Sequence, residues 1–416
     1  MKKIVVVGAG ASGLMAAGQA AQAGAKVLLL EKMKQPGRKI MISGKGRCNI
    51  TNDSDLHDFL KHFNKDGRFL HQAFARFFAP QLMDFLTREG LPLVTERGGR
   101  VFPQSGKSQD VLNILLYWLK KTGAELQCLR TVTELLMHEG RVTGVICDGE
   151  ELRCDAVILA TGGSSYPATG STGDGYAFAR KAGHSLAPIR PALIPLEVRE
   201  AAFKQMAGLD LRNTGVRVYV DGKRKKVDFG EVSFTRFGIG GPVILTHSGY
   251  IVDCLRGGSK VTVSLDLKPA LDDPKLDARL LRDFQSRGKE ELQSVLRGLL
   301  PQQMIAVCLQ LLALDGTKAA GEISAKERSR LRTWLKDFRF DISGHRPLRE
   351  AIVTAGGVKV GEVNPHTMES LKVQGLYFTG EVLDVDGDTG GYNLQAAFST
   401  GWLAGRSAAV GNQEAA

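Results

Sequence analysis

The stretch Met1 to Glu31, MKKIVVVGAGASGLMAAGQAAQAGAKVLLLE, decides the fold. Its β-branched run Ile4 to Val7 predicts a buried parallel strand, and the alanine-rich segment Leu14 to Ala23 predicts a helix. A second apolar strand, Val27 to Leu30, follows a glycine turn and ends in Glu31. This order of strand, helix and strand is typical of an α/β domain with a doubly wound parallel sheet.

Three glycines join the first strand to the helix in the spacing GxGxxG, namely Gly8, Gly10 and Gly13. In a dinucleotide-binding turn the first glycine permits the tight turn, the second lets the backbone approach a pyrophosphate, and the third lets the helix pack on the strand. Ala11 and Ser12 fall in the first helical turn, whose free N–H groups and dipole favour a phosphate. The motif therefore predicts a dinucleotide site.

An acidic residue, Glu31, ends the second strand, where a carboxylate can accept hydrogen bonds from both hydroxyls of an unphosphorylated ribose. Two alternatives are a glycine turn without a ligand and a secretory signal, since Lys2 and Lys3 precede small apolar residues. The signal is disfavoured because the apolar segment runs into a strand that ends in Glu31 instead of a cleavage site.

The composition is that of a soluble globular protein. The chain has 416 residues, of which 43% are hydrophobic and 24% charged, enough for two or three domains. The longest apolar run, Met304 to Leu314, contains Gln310 and falls short of the ~20 residues that span a bilayer. Without a targeting segment we expect a cytoplasmic protein that does not associate with membranes.

The cysteines and histidines show no ligand spacing. No CxxC pair occurs, and the histidines have no HxxxH pattern, so we expect neither a redox disulfide nor a metal. The net charge of +11 and the isoelectric point near 9.3 permit nucleic-acid binding. Because the basic residues are dispersed and lack interleaved aromatics, a solvated basic surface is favoured over a nucleic-acid partner.

A second donor-rich loop runs from Ser43 to Asn52, SGKGRCNITN, after a turn with Arg38 and Lys39. Its glycine backbone and its Lys, Arg, Ser and Asn side chains can all donate to anions. We predict that this loop closes over the pyrophosphate and reaches toward the reactive ring of the cofactor. An exposed polar loop is the alternative.

The middle of the chain alternates in pattern. Residues 56–90 look helical with an aromatic stripe that indicates core packing, 94–102 predict a hairpin with a Gly98-Gly99 turn, and 124–159 predict a meander. The last strand opens into Thr161-Gly162-Gly163, and a further glycine turn surrounds Asp174. Both turns let a backbone pass close to a cofactor.

A composition shift marks a domain crossing at Pro191 and Pro195. Residues 196–267 show strand-like alternation, and residues 269–336 are helical and charged. Near the end, the strand Gly375 to Phe378 leads to Gly380 and Glu381. The helix that begins at Gly390-Gly391 offers a positive dipole end, which stabilises negative charge on a reduced ring.

These blocks resemble a two-dinucleotide-binding-domain flavoprotein, and more closely the HI0933-like family, also called aminoacetone oxidase or BaiN-like FAD-binding flavoproteins. The resemblance is carried by Gly37–Lys39 with Ser43–Asn52, by Val353–Val358 (VTAGGV), by Gly380–Asp384 (GEVLD) and by Gly390–Gln395 (GGYNLQ). It implies non-covalent FAD bound by a Rossmann domain, with an inserted β-barrel-like domain and a helical subdomain.

The resemblance and the patterns together predict the domain limits. The discontinuous FAD-binding domain comprises 1–190 and 348–411, the β-rich inserted domain comprises 191–268 with part of 337–355, the helical subdomain comprises 269–336, and 412–416 form a frayed tail.

Motif positions and resemblance also predict the cofactor-binding residues. In chain order they are Gly8, Gly10, Ala11, Ser12, Gly13, Glu31, Lys32, Arg38, Lys39, Ser43, Gly44, Gly46, Arg47, Cys48, Asn49, Thr161, Gly162, Gly163, Asp174, Gly380, Glu381, Gly391, Tyr392, Asn393 and Leu394.

The catalytic residues are not determined, and three candidates are Cys48, Arg236 and Tyr392. Family members often have FTHxGxSGP where this chain has Arg236 and Gly240 at the His and Ser positions. A proton-donor role of that histidine does not transfer, and an arginine orients an anionic or carbonyl oxygen more naturally. Cys48 can equally be a packed small residue, and Tyr392 can pack on the ring.

The predicted function is that of an FAD-dependent oxidoreductase with hydride transfer through flavin N5. The resemblance suggests NADH or NADPH as a transient co-substrate and an activated C=C in a small molecule as the acceptor. Alternatives are an amine oxidase or dehydrogenase, a flavoenzyme acting on RNA, and a non-catalytic FAD-binding redox sensor. The oligomeric state is left open.

Overall fold

The computed structural model describes residues 1–63 and 67–411. The chain divides into two compact units, one formed by Met1–Ala192 with the chain from Leu348 onward, the other by Leu193–Pro347. Each unit has its own hydrophobic core. The predicted frayed tail, 412–416, lies outside the described residues.

The strands and helices are numbered in chain order. The strands are β1 Lys3–Val7, β2 Lys26–Glu31, β3 Thr51–Asn52, β4 Leu93–Glu96, β5 Arg100–Pro103, β6 Glu125–Cys128, β7 Val132–His138, β8 Arg141–Cys147, β9 Glu150–Arg153, β10 Ala156–Leu159, β11 Leu186–Ala192, β12 Leu196–Val198, β13 Asp210–Val220, β14 Lys223–Thr235, β15 Gly238–Gly240, β16 Val261–Asp266, β17 Phe338–His345, β18 Val353–Val358 and β19 Leu376–Phe378. The helices are α1 Ala11–Gln22, α2 Arg38–Ile42, α3 Leu56–Leu60, α4 His71–Arg76, α5 Ala79–Arg88, α6 Ser108–Lys121, α7 Asp174–Lys181, α8 Pro242–Arg256, α9 Asp273–Ser286, α10 Leu292–Leu296, α11 Gln302–Leu312, α12 Ala325–Lys336 and α13 Tyr392–Val410.

The first unit is built on a parallel sheet in the order β19-β10-β1-β2-β6. In this sheet Val6 of β1 lies opposite Leu29 of β2 and Ile158 of β10. All four residues of β10 are buried, which is typical of a strand covered on both faces. The predicted α/β fold with a parallel Rossmann sheet is confirmed.

The predicted meander over 124–159 is wrong at both ends. The first strand, β6, pairs in parallel with β2, and the last, β10, pairs in parallel with β1. Only β7, β8 and β9 form an antiparallel meander. The strand β10 is apolar and wholly buried, as expected of a strand inside a parallel sheet, whereas β6 forms the edge of the sheet and is only partly buried.

The two ends of the chain are packed together by α1 and α13. A Cβ on Gly401 would lie 2.3 Å from the carbonyl oxygen of Ser12, and a Cβ on Gly405 would lie 2.3 Å from that of Ala16. Only glycine permits so close an approach of two helix backbones. The start of α1 is therefore fixed against residues almost 400 positions away.

The second unit contains a closed barrel in the order β12-β15-β14-β13-β16-β17. In β13 the residues Val216, Val218 and Val220 are buried and alternate with less buried ones, as a strand with one face on a core requires. The strand-like reading of 196–267 is wrong over α8, which begins at Pro242 after Gly241 with φ +88°. Proline is favoured at the first helical position because its missing N–H is not needed there.

The helices α9 to α12 share one hydrophobic cluster with the barrel strands. Leu276 and Leu331 of these helices and Val216 of the barrel all belong to it. The barrel and the helical segment, separated in the sequence-based domain prediction, therefore form a single compact unit. In the described part of the chain, no helix is both long and apolar enough to cross a membrane.

Candidate functional site

The glycine turn after β1 has a different constraint at each glycine. Gly8 has φ +99°, and a Cβ there would lie 2.6 Å from the carbonyl oxygen of Ala160. A Cβ on Gly13 would lie 1.8 Å from the carbonyl oxygen of Gly8, whereas a Cβ on Gly10 would meet no atom of the described residues within 4 Å. The outer glycines are thus required by packing, and open space lies beside the middle one.

The N-terminus of α1 faces this open space with an uncapped first turn. Its N-cap is Gly10, and no side chain in the described residues accepts a hydrogen bond there in the manner of a cap. The first-turn amides around Ala11 and Ser12 therefore have no capping oxygen, and the helix dipole adds partial positive charge. This arrangement fits a pyrophosphate.

Glu31 lies beside the glycine turn and is 8% exposed. Its Oε2 accepts a hydrogen bond from the Ala9 amide at 2.8 Å, and its Oε1 accepts one from the Met33 amide at 2.8 Å. An ionised carboxylate has about four lone-pair positions. Acceptor capacity therefore remains for the hydroxyls of a ribose.

The turn before α7 lies next to this acid. Lys32 Nζ is 2.5 Å from Asp174 Oδ2 and also donates to Thr172. A Cβ on Gly170 would lie 3.7 Å from Glu31 Oε1. The structure thus brings the predicted residues Lys32 and Asp174 together at the Glu31 end of the site.

Arg38 and Lys39 are held at the glycine turn by Gly37, whose amide donates to the Ala9 carbonyl at 2.9 Å. The exposed Arg38 begins α2. Lys39 Nζ lies 2.6 Å from Glu381 Oε2 and donates to Ser165 Oγ at 2.8 Å. This ion pair joins the N-terminal and C-terminal blocks of the site.

The central turn at Gly162-Gly163 is fixed by Thr354, which was not predicted as a site residue. Thr354 Oγ1 accepts hydrogen bonds from the amides of Ser164 and Ser165 at 2.9 and 3.0 Å, and its own amide donates to Glu381 at 2.7 Å. A Cβ on Gly163 would lie 2.5 Å from Thr354 Oγ1. The sequence signal for Thr354 was its place in the VTAGGV block.

The other small residues of these turns also make close contacts. Gly162 has φ +70°. Thr161 lies close to α7, because a Cβ on Gly175 of that helix would be 2.1 Å from Thr161 Oγ1. Gly380 has φ +69°, and a Cβ there would lie 2.7 Å from Ser12 Oγ. The acidic turn at Glu381 is therefore seated on the start of α1.

The loop from Ser43 to Asn49 has an unusual backbone. Positive φ angles occur at Gly44, Gly46 and also at the non-glycine residues Lys45 and Cys48, with +57° and +60°. Left-handed conformations at non-glycine residues cost free energy and are concentrated at functional sites. The Ser43 carbonyl accepts the Cys48 amide at 3.0 Å, which closes the loop.

Two buried polar atoms near these loops lack partners among the described residues, Asn49 Oδ1 and Thr379 Oγ1. A buried acceptor without a hydrogen bond is costly, and a ligand N–H or O–H removes that cost. Together with the uncapped start of α1 and the Glu31 carboxylate, these atoms show that the residues present fit a dinucleotide such as FAD.

Arg47 is engaged within the protein. Its Nη2 lies 2.6 Å from Glu96 Oε1, and its guanidinium lies 4.2 Å from the centre of the Phe102 ring. The hydrogen bond that Arg47 donates holds the pKa of the Glu96 carboxyl below its usual value. The Arg47 charge is therefore neutralised by Glu96 in this structure.

The start of α13 is formed by Gly391, whose φ is +101° and whose Cβ would lie 2.4 Å from the Thr51 backbone. Among the residues that the structure describes, no side chain caps this helix. Asn393 accepts from the Gly387 amide at 2.9 Å and donates to its carbonyl at 2.8 Å, and Leu394 packs partly buried on the core. The helix N-terminus and its preceding loop are thus one ordered feature.

The three catalytic candidates differ in their surroundings. Cys48 is fully buried, and burial raises the pKa of its thiol to about 11, which disfavours a role as nucleophile. Burial and the nearby Asp388 charge raise the pKa of Tyr392. Arg236, in the barrel unit, is exposed and lies 4.7 Å from the Phe237 ring.

One pair of ionisable side chains at this site was not predicted. His62 Nδ1 lies 2.9 Å from Asp388 Oδ2, across 326 sequence positions. No local pattern could reveal it, because the two residues lie far apart in the chain and meet only in the tertiary structure. In the described residues, no three His, Cys, Asp or Glu side chains are grouped as metal ligands.

Comparison with curated proteins gives relatives along almost the whole chain. The 3-dehydro-bile acid delta(4,6)-reductase of Clostridium scindens is 34% identical, with 98% of this chain and 99% of that protein covered. The ribosomal RNA dihydrouridine synthase of Escherichia coli K12 is 30% identical, with 96% of each covered.

Comparison with solved structures shows the same fold. The 3-ketosteroid delta1-dehydrogenase of Sterolibacterium denitrificans is 15% identical with a TM-score of 0.52, and the match covers 98% of this chain and 100% of that chain. The model of the HI0933-like protein Rossmann domain matches residues 2–407. The chain therefore belongs to the HI0933-like family and is an FAD-dependent oxidoreductase.

Proposed function

We propose that the protein reduces an activated carbon–carbon double bond in a small molecule, with FAD as the bound redox group and NADH or NADPH as the reductant. The observation that carries this proposal is the full-length similarity to a protein named as a delta(4,6)-reductase. The second relative is named for forming dihydrouridine, which is uridine with two hydrogens added across a ring C=C. Both names describe saturation of an alkene.

In this proposal, the residues described above form the cofactor-binding site. Gly10 and the first-turn amides of α1 bind the pyrophosphate, and Glu31 accepts the ribose hydroxyls of the adenosine. Lys39 and Glu381, which form an ion pair, would lie between the adenosine and flavin parts of the cofactor. Bound FAD supplies hydride transfer at N5, a chemistry that no side chain provides.

The remaining predicted contacts are grouped by the part of FAD that each would meet. The loop with Ser43, Gly44, Gly46, Arg47, Cys48 and Asn49 and the start of α13 with Gly391, Tyr392, Asn393 and Leu394 would surround the ribityl chain and the ring. The uncapped N-terminus of α13 then stabilises negative charge that develops on the ring during reduction.

An anaerobic titration tests the proposal. The flavin absorbance of the purified protein is recorded, then NADH and NADPH are added separately, and then 2-methyl-2-cyclohexen-1-one or 4-androstene-3,17-dione. We expect bleaching by one nicotinamide and recovery of the absorbance with an unsaturated ketone. A flavin that neither nicotinamide reduces would contradict the proposed reductant, and a reduced flavin that no electrophilic alkene oxidises would contradict the proposed reaction.

A second candidate function, reduction of a uracil base in RNA, is favoured by the β13–β14 hairpin. Lys223, Arg224, Lys225 and Lys226 follow one another there and are exposed. Phe229 on the same hairpin is 55% exposed. Consecutive cations with an exposed aromatic ring match a surface that contacts phosphates and stacks a base.

RNA binding is tested by filter retention of a uridine-rich oligonucleotide at increasing salt. A variant with Lys223, Lys225 and Lys226 changed to Ala should bind more weakly and have a salt slope smaller by about 0.7 for each lost phosphate contact. A matched variant with three exposed basic residues changed elsewhere, Lys26, Lys120 and Lys289, is the control. Equal retention by both variants would exclude this hairpin as the contact surface.

A further inference from the structure

A histidine and an aspartate are fixed together at the start of α13. His62, just after α3, and Asp388, in the loop before α13, are joined by the 2.9 Å contact between Nδ1 and Oδ2. Their backbones are also joined, because the Asp388 amide donates to the His62 carbonyl at 2.8 Å and Phe63 forms an antiparallel bridge with Gly387. Both side chains therefore project from a fixed backbone.

The imidazole ring is held by Tyr392, the first residue of α13. The two rings stack with centroids 4.1 Å apart and an angle of 19° between their planes. Phe59 contacts the Tyr392 ring edge-on, and the centroids of these two rings are 4.7 Å apart. Asn393 in turn ties down the loop through Gly387 and the Asp388 carbonyl. The orientation of the His62 ring is thus set by two direct contacts, with Tyr392 and Asp388.

This geometry leaves one nitrogen of His62 available. Asp388 accepts the hydrogen of Nδ1, which fixes the tautomer and leaves Nε2 as the position for proton exchange. Nε2 makes no hydrogen bond within the part of the chain that the structure describes. The side chain of His62 is 40% exposed and that of Asp388 is 29% exposed, so a ligand can reach the ring.

Reduction of a conjugated C=C needs a proton as well as a hydride. Tyr392 is a poor source because burial raises the pKa of its hydroxyl, and Cys48 is a poor source because its thiol has no exposed surface. Histidine is the side chain that most often transfers a proton in enzymes, and a carboxylate hydrogen-bonded to one ring nitrogen orients the other. His62, which stacks on Tyr392 at the start of α13 and is hydrogen-bonded to Asp388, has these properties.

We propose that His62 is the proton donor of the reduction and that Asp388 is its positioning residue; this rests on the proposed function. Oxidation of NADH to NAD⁺ or of NADPH to NADP⁺, with loss of a nicotinamide C–H bond, would supply the hydride that forms a C–H bond at the β-carbon of an unsaturated carbonyl compound. The π electron pair moves to the α-carbon and the carbonyl group. The Nε2–H bond of the His62 imidazolium breaks, its proton forms the second C–H bond at the α-carbon, and a proton taken up from the solvent restores the imidazolium.

Two variants separate proton donation from flavin reduction. His62→Asn keeps a donor at the position of Nδ1 and removes Nε2, and Asp388→Asn removes the acceptor charge. We expect anaerobic reduction of the flavin by the nicotinamide to stay within about twofold of wild type. Oxidation of the reduced protein by 2-methyl-2-cyclohexen-1-one should slow by about 100-fold or more in His62→Asn.

The stereochemistry of the product gives a readout that a structural role would not change. In wild type, the proton arrives from one fixed group, so 2-methylcyclohexanone should form with one enantiomer in excess. In His62→Asn the proton comes from water, and the excess should fall. The matched control is His57→Asn, a change of an exposed histidine on α3, which should leave rate and enantiomeric excess at wild-type values.

The pair itself is tested without turnover by ¹⁵N NMR of the FAD-bound protein labelled at histidine. We expect Nδ1 of His62 to carry a proton that is hydrogen-bonded to Asp388 whether or not Nε2 is also protonated, and we expect the signal of this proton to broaden or disappear in Asp388→Ala. A His62 protonated only on Nε2 would overturn the positioning role of Asp388. If wild type oxidises with the ketone and His62→Asn does so at the same rate and enantiomeric excess, the proton-donor role is overturned while the proposed function stands. If reduced wild type reacts with no unsaturated ketone, the proposed function itself fails.

Discussion

Gly13 and Gly8 approach each other so closely that a Cβ on Gly13 would lie 1.8 Å from the Gly8 carbonyl oxygen. This contact seats the first turn of α1 on the end of β1. Gly10, between them, has φ −82° and would place a Cβ in open space. Glycines of one motif therefore serve different ends, since Gly13 is required by packing and Gly10 borders the space for the cofactor.

This difference predicts opposite behaviour of two alanine variants. Gly13→Ala should lower the free energy of unfolding by about 1–3 kcal/mol, because the backbone must move to relieve the clash. Gly10→Ala should keep wild-type stability but lose FAD, because the methyl group occupies the space of the pyrophosphate. Thermal unfolding of the FAD-free proteins and the ratio of flavin to protein absorbance measure the two effects.

A Gly10→Ala protein that retains FAD with wild-type affinity would contradict the placement of the pyrophosphate at this turn. Gly24→Ala is unsuitable as a control because Gly24 has φ +89°. Gly361→Ala is a suitable one, because nothing lies within 4 Å of its Cβ position and its φ is not positive.

Glu31→Gln should weaken FAD binding by about 1.5–3 kcal/mol, roughly 10- to 100-fold in the dissociation constant. The change removes the charge that accepts the Ala9 amide and that would accept the ribose hydroxyls. Quenching of FAD fluorescence on titration with FAD-free protein measures the constant. Glu139→Gln, at an exposed side chain, is the matched control, and equal affinities of the two variants would count against the ribose contact.

Stability should fall with acid because of a buried network around His184. Its Nε2 lies 2.7 Å from Ser370 Oγ, and its Nδ1 lies 3.2 Å from Glu362 Oε2. Burial lowers the pKa of His184, and this effect outweighs the nearby negative charge of Glu362, which tends to raise it. Burial tends to raise the pKa of Glu362, but hydrogen bonds from Lys372 and Ser185 outweigh it and hold the value at about 2.

Both pKa shifts make the folded protein less stable as the pH falls. Below about pH 6.5, the usual pKa of a histidine, the unfolded chain takes up a proton on His184 that the folded protein does not. The free energy of unfolding therefore decreases as the pH falls. The lowered pKa of Glu362 contributes stability above about 4.5 that is lost as the pH falls toward 2. We expect the melting temperature to drop from pH 7 to pH 5 and the drop to shrink in His184→Gln. His138→Asn, at an exposed histidine, should keep the wild-type slope, and an unchanged slope in His184→Gln would refute the assignment.

Cys48 should resist alkylation in the folded protein. Its thiol is fully buried with a pKa of about 11, so almost no thiolate is present near neutral pH. Mass spectrometry after treatment with N-ethylmaleimide should show Cys48 unmodified in native protein and modified in guanidinium chloride. Cys128 and Cys254, which are only partly buried, serve as internal references, and labelling of native Cys48 at their rate would contradict the burial.

Local patterns predicted the features that depend on neighbouring residues. The apolar runs at β1 and β2, the glycine turn and the hairpin turn at Gly98-Gly99 are confirmed, because each is decided within a few residues by burial period or by a positive φ. The family was identified from motif blocks for the same reason. The helix α8 was missed because its residues lie between two segments with clear strand alternation, and the whole stretch was therefore interpreted as strands.

By itself the sequence determined a parallel α/β sheet with a dinucleotide turn, since strand period, glycine spacing and the terminal Glu31 are local properties of the chain. Only the tertiary structure decided that β6 and β10 join the central sheet and that Thr354 fixes the Gly162-Gly163 turn. It alone brought His62 to Asp388. These contacts depend on packing free energy between segments far apart in the chain, and no local spacing encodes which distant partner buries the most apolar surface or satisfies a given polar group.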